Sequence, residues 1–126
     1  MNYIKRITIL VLALSLFCAC PEPIETYPTI FIKNKSDKDI YFWARGKSPI
    51  LDWKPNNNFL IIKNQIGTLE GDNSGTYTIY IWLFDRKLID SIPWEQVKRD
   101  NLYLKRYDLT SQDLERMNWE IIYDGS

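Results

Sequence analysis

The segment Thr76–Phe84 constrains the fold more than any other part of the chain, because it is apolar on both faces. Successive side chains of a β-strand point to opposite sides, so every second residue shares a face. One face would carry Tyr77, Ile79, Ile81 and Leu83, and the other Thr78, Tyr80, Trp82 and Phe84. A strand that is apolar on both sides is buried between two layers. We therefore expect Thr76–Phe84 to be a central strand.

Shorter β-rich runs surround this strand and are separated by polar turn clusters. Thr29–Lys33 and Ile40–Ala44 flank the turn cluster Asn34–Asp39, which predicts an antiparallel hairpin. Loops are expected over Arg45–Asn58 and Asn64–Gly75, which are rich in Gly, Pro and Asn. The remaining expected extended segments are Phe59–Lys63, Leu88–Ile89, Leu102–Asp108 and Trp119–Asp124.

Two short helices are predicted in the C-terminal third. Pro93–Asp100 places a proline at the helix start, with Trp94 and Val97 on one face. The second helix begins at Thr110, which can cap it together with Asp113, and the flanking Leu109 and Leu114 form a hydrophobic staple. Asn118 can end this helix in a left-handed conformation.

These elements predict a mainly β fold, an antiparallel β-sandwich of immunoglobulin-like or transthyretin-like size, over residues 29–126. The cysteine pair that marks antibody domains is absent, so the expectation concerns architecture alone.

The N-terminal segment has the pattern of a secretory signal. Lys5 and Arg6 precede the apolar run Ile7–Phe17, which is too short to span a bilayer. The following Leu16–Cys20 resembles the lipobox of bacterial lipoproteins, whose cysteine is lipid-modified and becomes the first residue of the mature chain. Cys20 fits this role because Ala19 supplies the small residue before it, whereas Cys18 follows the bulky Phe17. The alternative is an ordinary cleaved signal with free cysteines.

The lipobox resemblance implies a signal peptide over residues 1–19, a tether over residues 20–28 and a lipid anchor on Cys20. The expected location is the bacterial cell envelope, at the outer membrane, with the membrane as a partner through the anchor. Lipidation would consume the one cysteine that remains, leaving no disulfide and no free thiol. Glu22 and Glu25 after Cys20 partly resemble the surface-export signals of Bacteroides-group lipoproteins; a solvated linker is the alternative.

The C-terminal third carries a second resemblance. It rests on Pro93–Val97, Leu104–Thr110 and Asp113–Ile121, together with Phe31–Tyr41 near the start of the domain. These segments are similar to a group of small uncharacterised lipoproteins of Bacteroides-type bacteria. The resemblance implies location and fold, and it carries no activity.

Composition excludes several function classes. The chain has 16 basic and 16 acidic residues, so no basic face favours nucleic acid as a partner. It has no histidine, which removes the usual general base and the commonest metal ligand. Two groups of acidic and amide residues are candidates for chemistry: Asp85 with Asp90 could form a catalytic pair, and Glu70, Asp72 and Asn73 could bind calcium. Ordinary turn chemistry explains both better. We therefore expect no enzyme, no metal and no cofactor.

Two candidate sites remain. Asp90-Ser91-Ile92 matches the short acceptor sequence for O-glycosylation in Bacteroides-type secreted proteins; the alternative is that Ser91 only helps to start a helix. Tyr41, Trp43 and Trp53, near Asn56–Asn58, could form a flat platform on which sugar rings pack. The alternative is that these aromatic rings belong to the core, which a domain without disulfides needs.

The expected function is that of a membrane-anchored, non-catalytic envelope lipoprotein that acts as an interaction or structural domain, with an envelope protein as partner. The second hypothesis is a glycan-binding module for nutrient capture. Exposure of Tyr41, Trp43 and Trp53 as one cluster would favour the second hypothesis, and their burial would favour the first.

Overall fold

The computed structural model of the chain describes residues 28–71 and 78–126. The expected signal peptide, Cys20, nearly all of the tether and the three residues Asp72, Asn73 and Tyr77 lie outside this range. The strands are β1 (Thr29–Asn34), β2 (Ile40–Gly46), β3 (Leu60–Ile61), β4 (Ile66–Glu70), β5 (Ile79–Asp85), β6 (Lys105–Leu109) and β7 (Glu120–Tyr123). The helices are α1 (Arg86–Ser91), α2 (Trp94–Arg99) and α3 (Ser111–Arg116), and a short 3-10 helix covers Asn57–Phe59.

The strands form two sheets, which confirms the predicted mainly β, sandwich-like fold. One sheet has the order β4-β1-β7 and the other β3-β2-β5-β6. The strand pairs described are antiparallel except β1 with β7, which run parallel. Between β6 and β7 the chain passes from one sheet to the other through α3, and β7 then enters beside β1 in the same direction.

The main core lies between the sheets. β1 and β7 contribute Ile30, Ile32, Ile121 and Tyr123, and the opposing sheet contributes Ile40, Phe42, Ile61, Ile81 and Leu83. Leu114 of α3 completes this cluster and is 2% exposed. The core is thus closed by a helix in addition to the two sheets.

A second apolar cluster covers the other face of the four-stranded sheet. It consists of Tyr41, Trp82 and Phe84 from the sheet with Ile89 of α1 and Val97 of α2. The Phe84 and Trp94 rings meet edge to face at 5.5 Å. The helices therefore form a third layer on one outer face.

The central position predicted for β5 is confirmed. Ile81 and Leu83 belong to the cluster between the sheets, whereas Trp82 and Phe84 belong to the helix-side cluster. β5 has β2 on one side and β6 on the other. Its two apolar faces match its two buried environments.

The predicted hairpin of the first two strands is wrong. β1 pairs with β4 and β7, and β2 pairs with β3 and β5, so the two strands belong to different sheets. Asn34, which is 1% exposed, stabilises the connection that leads from β1 in one sheet to β2 in the other. Its side-chain amide donates to the carbonyls of Lys38 (2.7 Å) and Ile61 (3.0 Å), and its Oδ1 accepts from the Ser36 hydroxyl (2.6 Å).

The predicted loop over Asn64–Gly75 contains strand β4, so this expectation is also wrong in part. Gly67 suggested a loop, yet it lies in the strand opposite Ile32. A Cβ at this position would lie 2.4 Å from Cδ1 of Ile61. The glycine lets the two sheets approach closely here rather than breaking the strand.

Leu88 and Ile89, expected to be extended, lie in α1. The Asp85 side chain accepts from the backbone N–H of Lys87 at 3.1 Å and caps the helix. α1 is thus a third short helix, in addition to the two that were predicted.

The two predicted helices are confirmed. α2 begins directly after Pro93 and buries Val97. Thr110 and Asp113 form a reciprocal capping box at the start of α3. Asn118 has φ of 54° and lies just beyond the end of α3, as predicted.

Candidate functional site

Several strand ends meet at the edge of the sandwich where the described chain begins. β2 ends at Gly46, β6 ends at Leu109, and β5 begins at Ile79. Just after β4, the N–H of Gly71 donates to the Pro28 carbonyl at 2.8 Å. We call this edge the tether end, because the expected tether would lead into it.

A cleft of about 470 Å³ opens between the two sheets at the tether end, and we call it the apolar cleft. Its walls include core side chains from both sheets and from α3: Phe42, Phe59, Leu69, Ile79, Leu109 and Leu114. Ala44, Gly46 and Gly71 also line it and contribute little or no side-chain bulk. The cleft volume lies within the range of about 300–1,000 Å³ typical of small-ligand pockets.

Close packing restricts position 71, on the lining of this cleft, to glycine. A Cβ on Gly71 would lie 2.8 Å from the Trp119 ring and 3.1 Å from the Pro28 carbonyl oxygen. Glycine therefore lets the chain just after β4 lie close to both Pro28 and the Trp119 ring.

Polar groups are confined to a few positions on the cleft lining: Arg45, Glu70 and Ser111. Arg45 forms an ion pair with Asp52 in the loop that follows β2. The lining is therefore mainly apolar, with one cation and one carboxylate among its residues.

The loop over residues 47–56, which we call the Trp53 loop, is held in place at several points. Nη1 of Arg45 contacts the Ile50 carbonyl at 3.4 Å as well as Asp52. The indole N–H of Trp94 in α2 donates to the Asp52 carbonyl at 3.4 Å. Pro55 is buried near the other end of the loop.

The same loop exposes large apolar side chains. Trp53 is 73% exposed and Ile50 is 51% exposed. Solvent-exposed apolar side chains on a loop of fixed shape are typical of a contact surface.

The three aromatic residues proposed as a glycan platform do not lie on one exposed face. Tyr41 is 4% exposed and belongs to the helix-side cluster. Trp43 is half-buried, its ring meets Phe59 edge to face at 5.3 Å, and its indole N–H is buried. Trp53 alone of the three is open to solvent along most of its surface.

The Tyr41 hydroxyl is used inside the fold. It donates to Oδ1 of Asp90 at 3.1 Å, and Asn57 lies 3.4 Å away. Burial, with the neighbouring Asp90 carboxylate, raises the pKa of Tyr41 above its ordinary value. The hydroxyl thus stays protonated and joins β2 to α1.

A second, charged depression of about 450 Å³ lies at the opposite end of the sandwich. It is lined by Asp37, Lys38, Asp39, Lys63, Asp85, Arg86, Lys87 and Asp90. Asp85 caps α1, and Asp90 pairs with Arg86 at 3.6 Å and accepts from Tyr41. Both carboxylates of the candidate catalytic pair therefore have structural partners.

Ser91 is exposed at the last residue of α1. Its hydroxyl donates to the Lys87 carbonyl at 2.6 Å, which closes the last turn. An exposed helix end leaves the hydroxyl oxygen accessible to solvent.

Of the three candidate calcium ligands, Glu70 is an exposed residue of β4, and Asp72 and Asn73 lie outside the described range.

Within residues 28–71 and 78–126, no group of three or more His, Cys, Asp and Glu side chains could hold a metal ion. Over the same residues, no helix has both the length and the apolar character needed to cross a bilayer.

Comparison of the chain with protein-family models, curated proteins and solved structures finds no match. Functional inference for this chain therefore depends on its own residues and their geometry.

The apolar cleft is the feature that sequence patterns did not indicate. Its residues come from four strands, the 3-10 helix and α3, and nothing in their spacing joins them. Ala44 and Gly46, small residues at the end of an otherwise bulky strand, are the one local signal.

Proposed function

We propose that this protein is a non-catalytic lipoprotein of the bacterial cell envelope that acts as an interaction domain through the Trp53 loop. The lipid anchor on Cys20 holds it at the outer membrane. The observation that carries the proposal is the 73% exposure of Trp53 on a loop that Arg45 and Trp94 hold in place.

The small loss of conformational entropy expected on binding supports this role for the loop. A flexible loop loses conformational entropy when it binds, whereas a loop already held by hydrogen bonds loses less. Tryptophan is also among the residues that most often dominate the binding energy of protein interfaces. A pre-ordered loop with an exposed indole suits recognition of an envelope protein.

The position of Pro28 supports the anchored arrangement. The chain enters the fold at Pro28, at one end of the sandwich, and Cys20 lies eight residues earlier. An extended chain of eight residues reaches at most about 28 Å. The tether end would therefore face the bilayer, and the charged depression would face away from it.

The anchor is tested with Cys20→Ala and with Cys18→Ala as the matched control. Cys20→Ala should release the protein from membranes and abolish labelling by a radioactive fatty acid, because the acylated thiol is gone. Cys18→Ala should leave labelling unchanged. Persistent labelling of the Cys20 variant would refute the assignment.

The interaction surface is tested with a photo-crosslinking amino acid introduced at position 53 in living cells. A control places the same group at Ile122, an apolar residue that is 53% exposed on the outer face of the three-stranded sheet. We expect a discrete protein adduct from position 53 and none from position 122. Equal adducts from both positions, or none from position 53, would count against the Trp53 loop.

Glycan binding is the second candidate function, and the exposed Trp53 ring is the observation that favours it. Sugar rings pack on flat aromatic faces, so titration with polysaccharides should quench tryptophan fluorescence if this function holds. Trp53→Ala should then abolish quenching and leave the fold intact. Trp43→Ala should instead destabilise the domain, because Trp43 packs on Phe59.

A further inference from the structure

We infer that the apolar cleft at the tether end is a binding site for one acyl chain. The ligand class is an unbranched hydrocarbon chain with a small polar head. The proximity of the cleft to the bilayer depends on the proposed lipid anchor, but the cleft and its apolar lining do not.

The composition of the lining favours a hydrocarbon ligand. Six bulky apolar residues from both sheets, the 3-10 helix and α3 line the cleft, and the polar residues of the lining are Arg45, Glu70 and Ser111. A ligand with many hydrogen-bonding groups would leave those groups unpaired in such a cleft, at a high cost. Apolar surface buried against these walls is stabilising in proportion to its area.

The shape of the cleft follows from small residues at one end of the sandwich. Phe42 fills the space between the sheets and is 5% exposed, whereas Ala44, two residues further along the same face of β2, leaves space. Gly46 and Gly71 leave more space at the strand ends. The cleft is thus a continuation of the main core, and no side chain of the described residues fills it.

The position of the cleft indicates where the ligand comes from. The cleft opens at the edge where the Gly71 N–H contacts the Pro28 carbonyl, next to the entry of the tether. Acyl chains are the apolar molecules present at high concentration beside a membrane. Arg45 on the lining can pair with an acidic head group, because its guanidinium offers five donors and Asp52 uses only part of them.

Two sources of acyl chain share this chemistry: a free fatty acid or membrane lipid, and the lipid attached to Cys20 of the same molecule. An extended tether of eight residues, at most about 28 Å long, permits the second source. The experiment below includes an arm for each source.

The test uses the chain that begins at Pro21. All described strands and helices and both apolar clusters lie between Thr29 and Tyr123, so this chain contains the complete described fold. The probe is cis-parinaric acid, a fatty acid that becomes fluorescent in an apolar site, in detergent-free buffer. We expect a saturable rise in fluorescence that palmitate reverses by competition.

The variants are Ala44→Phe, which fills the cleft, and Thr68→Phe, its matched control. Thr68 is exposed on the outer face of β4, so its substitution adds a ring without entering the cleft. Ala44→Phe should weaken binding by about tenfold or more, because the site loses apolar contact with several methylene groups. Ala44→Val repeats the test with a smaller side chain, with a smaller expected loss, should the phenylalanine variant not fold.

The source is decided with the chain that begins at Cys20, S-alkylated with a hexadecyl group. If the attached chain occupies the cleft, the alkylated protein binds no probe; if free lipid is the ligand, probe affinity is unchanged. Both results support an acyl-chain site and assign its source. The inference is overturned if the folded chain from Pro21 shows no saturable, palmitate-sensitive signal, or if Ala44→Phe and Ala44→Val bind as tightly as the parent chain.

Failure of this test is distinguishable from failure of the proposed function. The titration uses protein without a natural anchor and does not involve Trp53. Loss of lipid labelling or of crosslinking at Trp53 would therefore leave the titration result unaffected.

Discussion

The side-chain amide of Asn34 donates to the Ile61 carbonyl at 3.0 Å, and this bond joins the end of β1 in one sheet to β3 in the other. The backbone of Asn34 contributes further contacts: its N–H donates to Gln65 and its carbonyl accepts from Asn64. Asn34 and Ser36 are the buried polar residues of the described fold. Their hydrogen bonds direct the chain from the first sheet to the second.

Asn34→Ala should lower the free energy of unfolding by about 3 kcal/mol, because the buried Ile61 carbonyl loses the Asn34 amide and the backbone N–H of Ser36 loses Oδ1, while the Ser36 hydroxyl keeps the Lys38 carbonyl. Ser36→Ala is the matched control and should cost about 1 kcal/mol, since it leaves the Asn34–Ile61 bond in place. Both are measured as shifts of the urea denaturation midpoint. Equal losses in the two variants would show that the bond to Ile61 does not hold the sheets together.

Thr110→Ala should cost about 1 kcal/mol in denaturant unfolding at neutral pH, through loss of the cap of α3. The hydrogen bonds from Thr110 lower the pKa of Asp113. A carboxyl group with a lowered pKa in the folded state stabilises the fold above its unfolded pKa, and this stabilisation is lost as the pH falls through the folded pKa. Thr110→Ala removes the share of this effect that comes from the hydroxyl and keeps the backbone N–H of Thr110, which is the larger cause, so the difference between parent and variant should shrink in acid by the hydroxyl's share. A difference that stays constant down to about pH 2 would contradict the ionised capping box.

Leu114→Ala should cost about 2–5 kcal/mol, because Leu114 is 2% exposed within the main core. Ile122→Ala is the control; Ile122 is 53% exposed and its truncation should change stability by about 0.5 kcal/mol or less. Thermal or denaturant unfolding provides the measurement. A midpoint unmoved by Leu114→Ala would mean that α3 does not pack on the core.

Stability should fall at alkaline pH. Burial raises the pKa of Tyr107 and of Tyr123, as it does for Tyr41. At a pH between the unfolded and the folded pKa values, these tyrosines are protonated in the folded state and ionised in the unfolded chain. The stabilisation is therefore complete below the unfolded pKa of about 10 and is lost as the pH rises through the folded pKa values. Tyr123→Phe should make unfolding less steeply dependent on pH above about 10. An unchanged slope would show that Tyr123 does not titrate with the transition.

If Ser91 is glycosylated in cells, the mature protein should exceed its peptide mass by a glycan, and Ser91→Ala should remove the excess. Asp90→Asn tests the motif separately, because it removes the acid and leaves the hydroxyl in place. Ser126, outside any such motif and exposed, serves as the control substitution. Intact-mass spectrometry of protein isolated from its native cells distinguishes these outcomes, and an unmodified parent protein would contradict the prediction.

Features determined by neighbouring residues were predictable from the chain alone. The capping box of Thr110 and Asp113 closes within four residues, and the left-handed Asn118 follows from the end of the same helix. The central position of β5 could be predicted from one segment, because its alternating residues are apolar on both faces. In the structure those two faces belong to two separate apolar clusters.

Strand pairing depended on the tertiary structure. The turn cluster after β1 has the composition of a hairpin, but the Asn34 side chain binds Ile61 across the molecule and sends β2 into the other sheet. From the sequence alone, Gly67 suggests a loop. In the structure a Cβ at this position would clash with Ile61, which explains why the strand has glycine there. Leu88 and Ile89 were expected to be extended, yet the cap by Asp85 and the burial of Ile89 against the sheet favour a helix.

The candidate sites divide in the same way. The amino-acid sequence alone determined the candidate lipidation cysteine and the acceptor motif at Ser91, because both depend on adjacent residues. Only the tertiary structure decided that Tyr41 is buried, that Trp53 is exposed, and that Ala44, Leu69 and Leu114 enclose one cleft. Burial and cavities depend on contacts between residues far apart in the chain, and the periodicity of a single segment carries no information about them.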